Sequence, residues 1–482
     1  MTKTKARYGV CLVLLLLLVL LCAGCSTADK LTQTQAQKDE VYIFYGSNRT
    51  TSQWNDPYGV IARDGQLIFP LSDYRYNVIR DRETKEQLWI QAREIYVDDP
   101  ALSAEELYQD NNWEHIRQHC YLYDLEGNLL QDMGERVVYT VYGDLVLYSD
   151  GKLERRSDGQ VLFSDVSSLE AVGDYYAMDC SQNQKFRVID KNQQVVWEHE
   201  GYVSSNGQQL IVQQNEKYGV RNGDGTEVLP CVYDDIRMTG QNNNNYYILK
   251  QGNQLSVASA ADGAILYTMD STEDQEISYA NDSLFVLQTQ VSEDPSDWQR
   301  TEQMFDYAGN AISEQYRSIW ADQSLKQGLC YFEARTLDEN SVLLDEKGQV
   351  VFTGEKGDSF ILLDENSLIV HNYEENSARL VDVTGQQKNK KAYTGMYPLY
   401  NYEEGSGTST KLSLCVAEYS FGQTQLKDLI TADGTVLIEQ AKNIAMLDTD
   451  RFWVEKGFVQ GLMDAEGNWL YQQSLFDSSV DE

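Results

Sequence analysis

The sequence is short of basic residues. Its 482 residues include 39 lysines and arginines against 75 aspartates and glutamates, which gives a formal net charge of −36 at pH 7. A surface with this excess of negative charge repels nucleic acid and anionic lipid headgroups. We therefore expect no nucleic-acid partner. The acidity favours solvation of the chain, and it would also attract cations or basic partners.

Histidine is scarce as well, with four residues in the chain. Only the run Glu114–Cys120 gathers potential metal ligands. If this run is helical, His115 and His119 share one face, with Cys120 beside them. The run lacks the acidic residue that serves as general base between the histidines of zinc proteases. We expect a solvated insertion here, and we assign no metal, no cofactor and no catalytic residue to the chain.

Closely spaced cysteines are missing after Cys25. The count of later cysteines is odd, and none are near enough in sequence to indicate a clustered zinc site or a disulfide scaffold. Single buried thiols are the expected state, and one or two long-range bridges stay open as an alternative. These later cysteines are Cys120, Cys180, Cys231, Cys330 and Cys415.

Long apolar runs are missing beyond the first residues, because Asp, Glu, Gln or Asn interrupts every apolar stretch within a few positions. The exception is Cys11–Cys22, which follows Lys3, Lys5 and Arg7 and is too short to span a bilayer comfortably. This arrangement is typical of a signal peptide. The end of the run, Leu21–Ser26 (LCAGCS), resembles a bacterial lipobox.

The lipobox resemblance implies cleavage between Gly24 and Cys25 and lipid attachment to the Cys25 thiol. Two or more acyl chains anchor a protein more firmly than the marginal single chain. The expected product is a lipoprotein of the cell membrane that faces the extracytoplasmic side without spanning the bilayer. Residues 1–24 are then the signal peptide, and the polar residues 25–40 are a flexible tether. Loss of the leader removes three basic residues and moves the net charge from −36 to −39.

The rest of the chain is filled by short β-strand patterns. The run Glu216–Met238 (EKYGVRNGDGTEVLPCVYDDIRM) places apolar strand residues on both sides of Asn222–Gly225, which tolerates positive φ, and this predicts a β-hairpin. The run Tyr58–Pro70 has the same order, and Gln460–Tyr471 repeats it more loosely. All three resemble the WG repeat, with Tyr218 in place of tryptophan in the first. That family is defined by repetition, so the resemblance implies architecture and no particular reaction.

A tight-turn residue recurs along the chain. The intervals between Gly127 and Gly225 are nearly constant, later ones are longer, and the first contains an insertion at 84–119. In Val188–Trp197 the glycine position is assigned to Asn192, since asparagine also enters the left-handed region at low cost. The eleven turn residues are Gly65, Gly127, Gly159, Asn192, Gly225, Gly263, Gly309, Gly348, Gly385, Gly434 and Gly467.

Each interval contains four short strand patterns, with the tight turn between the third and the fourth. One such unit comprises Leu169–Val172, Tyr175–Met178, Lys185–Ile189 and Gln194–Trp197, and the next begins at Gly201. Four antiparallel strands every few tens of residues are typical of a propeller blade. We predict an all-β, β-propeller-like array of about eleven short antiparallel units. Two tandem rings are preferred to one large ring or an open β-spiral, because eleven exceeds the usual blade number of one ring.

Acidic, linker-like sequence at Asp270–Glu276 and a loop at Val291–Asp297 divide the units into two groups. The predicted segments are a first β-repeat domain at 41–270 that contains the insertion 84–119, a second β-repeat domain at 271–475 and an acidic tail at 476–482.

The expected function is binding or scaffolding. No nucleophile elbow, phosphate-binding glycine loop or Ser-His-Asp order stands out. The acidic turns Asn222–Glu227 and Asp448–Asp450 lack the full ligand series of a calcium loop. Most of the 32 tyrosines are expected to pack within strands, although exposed aromatic residues at a ring mouth would contact peptides or sugars.

We therefore expect a non-enzymatic module that binds envelope proteins or glycans. The alternative is a propeller-type hydrolase that acts on cell-envelope glycans through paired carboxylates at the axis. Function is expected where the chain departs from the repeat, chiefly in the 84–119 insertion and in the loops around Val291 and Asn401.

Overall fold

A computed structural model describes residues 40–45, 57–97, 116–180, 185–239, 245–291, 300–321, 331–402 and 409–475. Every regular element in these ranges is a β-strand. None of the described residues forms a helix long and apolar enough to cross a membrane. The strands pair in antiparallel fashion into eleven sheets, each of three or four strands. This confirms the predicted all-β, propeller-like array of about eleven units.

Contacts between Cα atoms divide the chain into two compact units. The first unit comprises the described residues through Asp81 together with those of Lys85–Val138. It holds two sheets, with the strand orders β1-β2-β3 and β4-β5-β6-β7. Its strands are β1 (Val41–Tyr45), β2 (Tyr58–Ala62), β3 (Leu67–Ser72), β4 (Arg75–Arg80), β5 (Gln87–Val97), β6 (Ile116–Tyr123) and β7 (Leu129–Gly134).

The second unit comprises Arg82–Thr84 and the described residues from Tyr139 onward. It holds nine sheets, in each of which every strand pairs with the next one along the chain. The strands of the first five of these sheets are β8 (Val138–Tyr142), β9 (Leu145–Tyr148), β10 (Leu153–Arg155) and β11 (Val161–Phe163); β12 (Ser168–Val172), β13 (Tyr175–Cys180), β14 (Lys185–Ile189) and β15 (Val195–Glu200); β16 (Val203–Ser205), β17 (Gln209–Gln214), β18 (Lys217–Asn222) and β19 (Glu227–Tyr233); β20 (Asp235–Thr239), β21 (Tyr246–Gln251), β22 (Gln254–Ser259) and β23 (Ile265–Asp270); and β24 (Gln275–Ala280), β25 (Leu284–Gln290) and β26 (Arg300–Asp306).

The strands of the remaining four sheets are β27 (Ser318–Ala321), β28 (Tyr331–Arg335), β29 (Ser341–Asp345) and β30 (Val350–Thr353); β31 (Asp358–Asp364), β32 (Ser367–Asn372) and β33 (Ser377–Asp382); β34 (Gly395–Tyr402), β35 (Ser409–Phe421), β36 (Thr424–Thr431) and β37 (Val436–Ala441); and β38 (Asn443–Asp448), β39 (Arg451–Lys456), β40 (Val459–Asp464) and β41 (Trp469–Ser474).

Apolar layers join neighbouring sheets of the second unit. In the second strand β17, the four consecutive residues Gln209–Val212 are buried, whereas the fourth strand β15 alternates between exposed and half-buried residues. This is the pattern of sheets stacked face to face with their last strands in solvent. Leu249 of β21, for example, packs in one cluster with Ile211, Val220 and Leu229 of the preceding sheet. Burial of one such side chain contributes about 1.5 to 3 kcal/mol.

The four-strand units predicted from the sequence correspond to sheets β12–β15 and β16–β19. Predicted Leu169–Val172 lies within β12, and Lys185–Ile189 coincides with β14. The tight turn lies between the third and the fourth strand, as predicted. Two three-stranded sheets of the second unit pair with a further segment through isolated β-bridges. One bridge joins Glu302 to Tyr316, and the other joins Ala378 to Tyr393.

The recurrent tight turn is held by the side chain at its first position. In the turn that begins at Asp306, the carboxylate accepts hydrogen bonds from the backbone N–H groups of Ala308 at 3.0 Å and Asn310 at 2.8 Å. Gly309 has a φ of 84°, and its N–H donates to the Asp306 carbonyl at 3.0 Å. Glycine adopts this left-handed conformation without the steric cost that a Cβ would add.

The assignment of Asn192 to the glycine position is wrong. The left-handed residue of that turn is Gln193, with a φ of 65°, and its N–H donates to the Asp190 carbonyl at 2.9 Å. Asn192 instead donates its N–H to Asp190 Oδ1 at 2.9 Å. The left-handed position is set by its distance from the aspartate that begins the turn, so the third residue after Asp190 takes positive φ. Arg155 donates to Gln193 Oε1 at 2.7 Å and helps to hold it there.

The remaining predicted boundaries are those of the 84–119 insertion, of the two β-repeat domains and of the terminal segments. The described parts of the 84–119 insertion contribute the whole of strand β5 and the start of β6 in the first unit. The predicted division between residues 270 and 271 lies at the end of β23, inside the second unit. That division stays a prediction, as does the number of rings. The signal peptide, residues 25–39 of the tether and the tail 476–482 lie outside the described residues.

Candidate binding site

The second unit contains a cavity of about 930 Å³. Its wall is built largely by the first strands of five successive sheets, β20, β24, β27, β31 and β34. Side chains alternate along a strand, so each first strand presents some residues to its own sheet stack and others to the cavity. Its charged and aromatic lining residues include Arg237, Arg300, Lys411, Glu276, Glu302, Glu333, Trp320 and Tyr400.

Arginine side chains hold two of the cavity's carboxylates. Arg237 Nη1 of β20 lies 3.3 Å from Glu276 Oε1 of β24 and so joins two neighbouring sheets. Its Nε lies 3.4 Å from Asp235 Oδ2. Within β26, Arg300 Nε lies 3.6 Å from Glu302 Oε1. Three cationic and three carboxylate side chains line the cavity, so its wall is balanced in charge although the chain as a whole is strongly acidic.

Glu302 is a buried carboxyl group, with 4% of its side chain exposed. The backbone N–H of Ile319 donates to its Oε2 atom at 2.6 Å. Burial raises the pKa of Glu302, and the negative charge of Glu276 adds to the rise. The hydrogen bond from the Ile319 N–H and the positive charge of Arg300 act in the opposite direction. The pKa of Glu302 therefore lies above that of a solvated glutamate.

Lys411 and Glu333 bind the backbone carbonyl and the backbone N–H, respectively, of one residue of β31, Leu362. Lys411 is buried, its Nζ donates to the Leu362 carbonyl at 2.6 Å, and it lies 5.7 Å from the centre of the Tyr400 ring. The N–H of Leu362 donates to Glu333 Oε1 at 3.3 Å. These contacts hold the wall in place, so a ligand need not order it on binding.

Trp320 is an exposed aromatic residue in the cavity wall, with 66% of its surface accessible. It lies on β27, where its neighbour Ile319 is buried in the core and also lines the cavity, whereas Trp320 stays exposed. A large exposed aromatic side chain in a concave surface indicates a contact site. Tyr139 of β8 and Tyr397 of β34 also expose more than half of their surface on first strands.

A smaller cavity of about 290 Å³ shares part of this wall. Arg237, Glu276 and Gln288 line both spaces. Carboxylates outnumber cationic groups in the smaller cavity by four to two. We call it the acidic groove, and its charged lining residues are Asp235, Glu273, Asp274, Glu276, Arg237 and Lys250.

The site residues predicted from the sequence lie elsewhere. Gly24, Cys25 and His115 fall outside the described residues. The helical spacing considered for His115 and His119 does not occur at His119, because Ile116–Tyr123 is strand β6. There His119 Nε2 lies 2.7 Å from Asp132 Oδ1. Within the described ranges, no group of three or more His, Cys, Asp or Glu side chains is placed to hold a metal ion.

The acidic turns considered as calcium loops are held by protein groups. Asp224 Oδ1 accepts the backbone N–H of Thr226 at 2.9 Å and the Thr226 hydroxyl at 2.7 Å. Asp448 accepts the N–H of Thr449 at 2.6 Å, and Asp450 pairs with Arg451 at 2.9 Å. These carboxylates stabilise their own turns.

The described cysteines are free thiols. Cys120, Cys180 and Cys415 are buried and Cys231 is half-buried. Burial raises the pKa of all four thiols, to about 12 for Cys415. A raised pKa lowers the thiolate fraction and with it the reactivity. The prediction of single buried thiols is confirmed for the three buried residues, and Cys330 lies outside the described ranges.

Glu302 and Trp320 are not singled out by sequence reasoning. Trp320 belongs to the short run Ser318–Ala321, in which three consecutive residues are apolar, so alternation does not tell which of them faces solvent. One usable signal was the spacing of Arg300 and Glu302, since residues two apart on a strand share a face.

No protein-family model matches the chain, and no curated protein matches it. Among solved structures, the chain is similar to a eukaryotic initiation factor at 8% identity, with 67% of this chain and 93% of that chain covered and a TM-score of 0.38. It is similar to BamB from Moraxella catarrhalis at 11% identity, with 59% and 84% covered and a TM-score of 0.27. For Hsv2 from Kluyveromyces lactis the values are 9%, 55%, 92% and 0.27. At these identities and TM-scores the similarities carry no argument about function.

Proposed function

We propose that the protein is a lipid-anchored binding module on the extracytoplasmic side of the cell membrane, and that it binds a protein partner at the cavity around Trp320. The observation that carries the proposal is the exposed Trp320 ring in a cavity wall whose charged groups are held by their neighbours. A partner that covers this ring buries apolar surface without first ordering the wall. Tryptophan and arginine are also the residue types that contribute most to the energy of protein interfaces.

The dimensions of the cavity suit a segment of a partner rather than a whole domain. Its volume of about 930 Å³ lies in the range of sites that enclose a ligand of modest size. A polypeptide segment would cover Trp320 with its side chains and use Ser278, Ser318 and Gln288 as polar contacts. An oligosaccharide would also stack on an indole ring, so a glycan ligand is the alternative outcome of the test.

A cross-link from position 320 tests the binding site. A photoreactive phenylalanine analogue at this position of the full chain, expressed in its native membrane, is expected to capture one protein partner. The matched control carries the analogue in place of Phe421, which is 75% exposed and is not among the residues that line the cavity. Cross-linking from 320 but not from 421 supports the proposal, whereas the same result at both positions contradicts it.

The membrane anchor in this proposal rests on the sequence alone. The apolar run and the lipobox-like Leu21–Ser26 support lipid attachment to Cys25. Cys25→Ala is expected to release the protein from the membrane fraction or to leave an unprocessed precursor, and Cys22→Ala is the matched control. Unchanged fractionation and gel mobility of Cys25→Ala would refute the anchor.

We also propose that the three units that resemble the WG repeat are members of that family. Gly59, Gly219 and Gly461 support this, because an added Cβ would come within 3.0 Å of a neighbouring atom at each position. The propeller-type hydrolase acting on envelope glycans is not proposed, because no contact among the described residues favours it.

A further inference from the structure

We infer that the partner segment bound at this cavity is basic: it carries lysine or arginine side chains, one of which covers Trp320 while another enters the acidic groove. The inference rests on the proposed function and names the chemistry of the ligand. It follows from the charge of the whole chain, from the lining of the groove and from the wall that the groove shares with the cavity.

The cavity alone does not select a charge. Its arginines Arg237 and Arg300 contact Glu276 and Glu302, and its Lys411 is buried against a backbone carbonyl. These contacts engage the charged groups of both signs within the protein, so neither an acidic nor a basic ligand gains much from the cavity wall alone. Charge selection has to come from the surroundings.

Those surroundings are negative. The chain carries a net charge of −36, and a field of this sign raises the local concentration of cationic ligands and slows the approach of anionic ones. In the acidic groove, Arg237 contacts Asp235 and Glu276, while Glu273 and Asp274 lie exposed on the turn before β24. The groove therefore favours a cationic side chain.

The shared wall places this selection next to Trp320. Arg237, Glu276 and Gln288 line both the groove and the cavity, and Trp320 lies in the cavity wall. A ligand that occupies both the acidic groove and the cavity contacts the Arg237–Glu276 ion pair in each of them. An ammonium or guanidinium group over the indole face gains a cation–π contact, which an acidic side chain or a sugar hydroxyl does not provide.

The test compares two labelled peptides of about a dozen residues, a Gly-Lys-Leu repeat and a Gly-Glu-Leu repeat, by fluorescence anisotropy with the full-length protein in detergent. We expect the lysine peptide to bind at least roughly tenfold more tightly, with a Kd that rises with salt. Trp320→Ala is expected to weaken its binding about tenfold. The double variant Glu273→Gln, Asp274→Asn should weaken it a few-fold and flatten the salt dependence, whereas Phe421→Ala and Asp158→Asn should leave it unchanged.

The outcomes separate the inference from the proposed function. Equal affinity for both peptides, with both weakened by Trp320→Ala, overturns the basic ligand and leaves the binding site in place. Binding of neither peptide also overturns the inference, and binding of an N-acetylglucosamine tetramer that depends on Trp320 then replaces the protein ligand by a glycan. If Trp320→Ala changes the binding of no probe, the cavity is not the site and both proposals fall.

Discussion

A Cβ placed on Gly219 would lie 2.7 Å from the Sγ atom of Cys231 and 2.7 Å from the carbonyl oxygen of Leu229. Gly219 lies in β18, opposite the register shift of β19 between Leu229 and Tyr233. The extra residues of β19 bring its backbone closer to β18 than any side chain permits. The glycine of this Tyr-Gly pair is thus required by a close approach of two strands.

Gly219→Ala is expected to destabilise the protein by about 1 to 3 kcal/mol, because the overpacked strands must shift apart. The thermal unfolding midpoint of the full chain measures the effect. Gly252→Ala is the control, since Gly252 has a φ of 58° and no atom within 4 Å of an added Cβ. It reports backbone strain alone. A second pair of variants, Cys231→Ala with and without Gly219→Ala, separates the clash with the Cys231 sulfur from the clash with the backbone.

Glu216→Gly is expected to stabilise the protein by up to about 1 kcal/mol. Asn215 and Glu216 form the two-residue turn between β17 and β18, with φ values of 53° and 62°. Glycine accepts positive φ without steric cost, and Asn-Gly is a preferred pair in such turns. The unfolding midpoint in urea measures the gain. Glu216→Ala serves as control, and an equal shift for alanine would assign the effect to loss of the charge.

Glu302 makes stability depend on pH. Its folded-state pKa is raised, so between the ordinary glutamate pKa and the raised one the folded protein holds a proton that the unfolded chain has lost. The stability from this proton is complete below the ordinary pKa and is lost as pH rises through the folded-state pKa.

Glu302→Gln keeps an acceptor for the Ile319 N–H and removes the titration. The difference in unfolding free energy, wild type minus variant, should therefore fall as pH rises from about 4, the ordinary glutamate range. Chemical denaturation over a pH series measures it, with Glu216→Gln as the exposed control. A difference that grows with pH would show that the pKa of Glu302 is lowered instead.

Asp358→Ala is expected to cost about 1 to 3 kcal/mol, because it leaves the buried Asn372 amide without its acceptor and the half-buried Arg379 without its ion-pair partner. The Asp358 side chain has no exposed surface, and Arg379 donates to it at 2.6 Å and Asn372 at 3.0 Å. Asp158→Ala removes an exposed partner of Arg155 and should change stability little. Unfolding midpoints compare the two, and equal losses would mean that burial of the Asp358 pair does not matter.

Local rules predicted most of the fold. Alternating apolar residues and turn residues predict the positions of β12 to β19, because strand period and positive φ are properties of a few consecutive residues. The error at Asn192 has the same origin. Residue preference was used to assign the left-handed position, whereas hydrogen bonds to Asp190 determine it.

The candidate site was not predictable in the same way. The residues that line it lie between Arg237 and Lys411 in the sequence and come from five different sheets, so no short-range spacing predicts the site. The functional emphasis on the loops around Val291 and Asn401 stays a prediction, since 292–299 and 403–408 lie outside the described residues.

The sequence by itself determined the repeating unit, its turns and the excess of acidic charge, because each depends on residue type and near neighbours. The tertiary structure alone decided that Ile319 is buried while Trp320 faces a cavity, and that the Glu302 carboxyl is buried against the Ile319 N–H. Those outcomes depend on which sheets stack against each other, and stacking is set by the summed packing of side chains far apart in the chain.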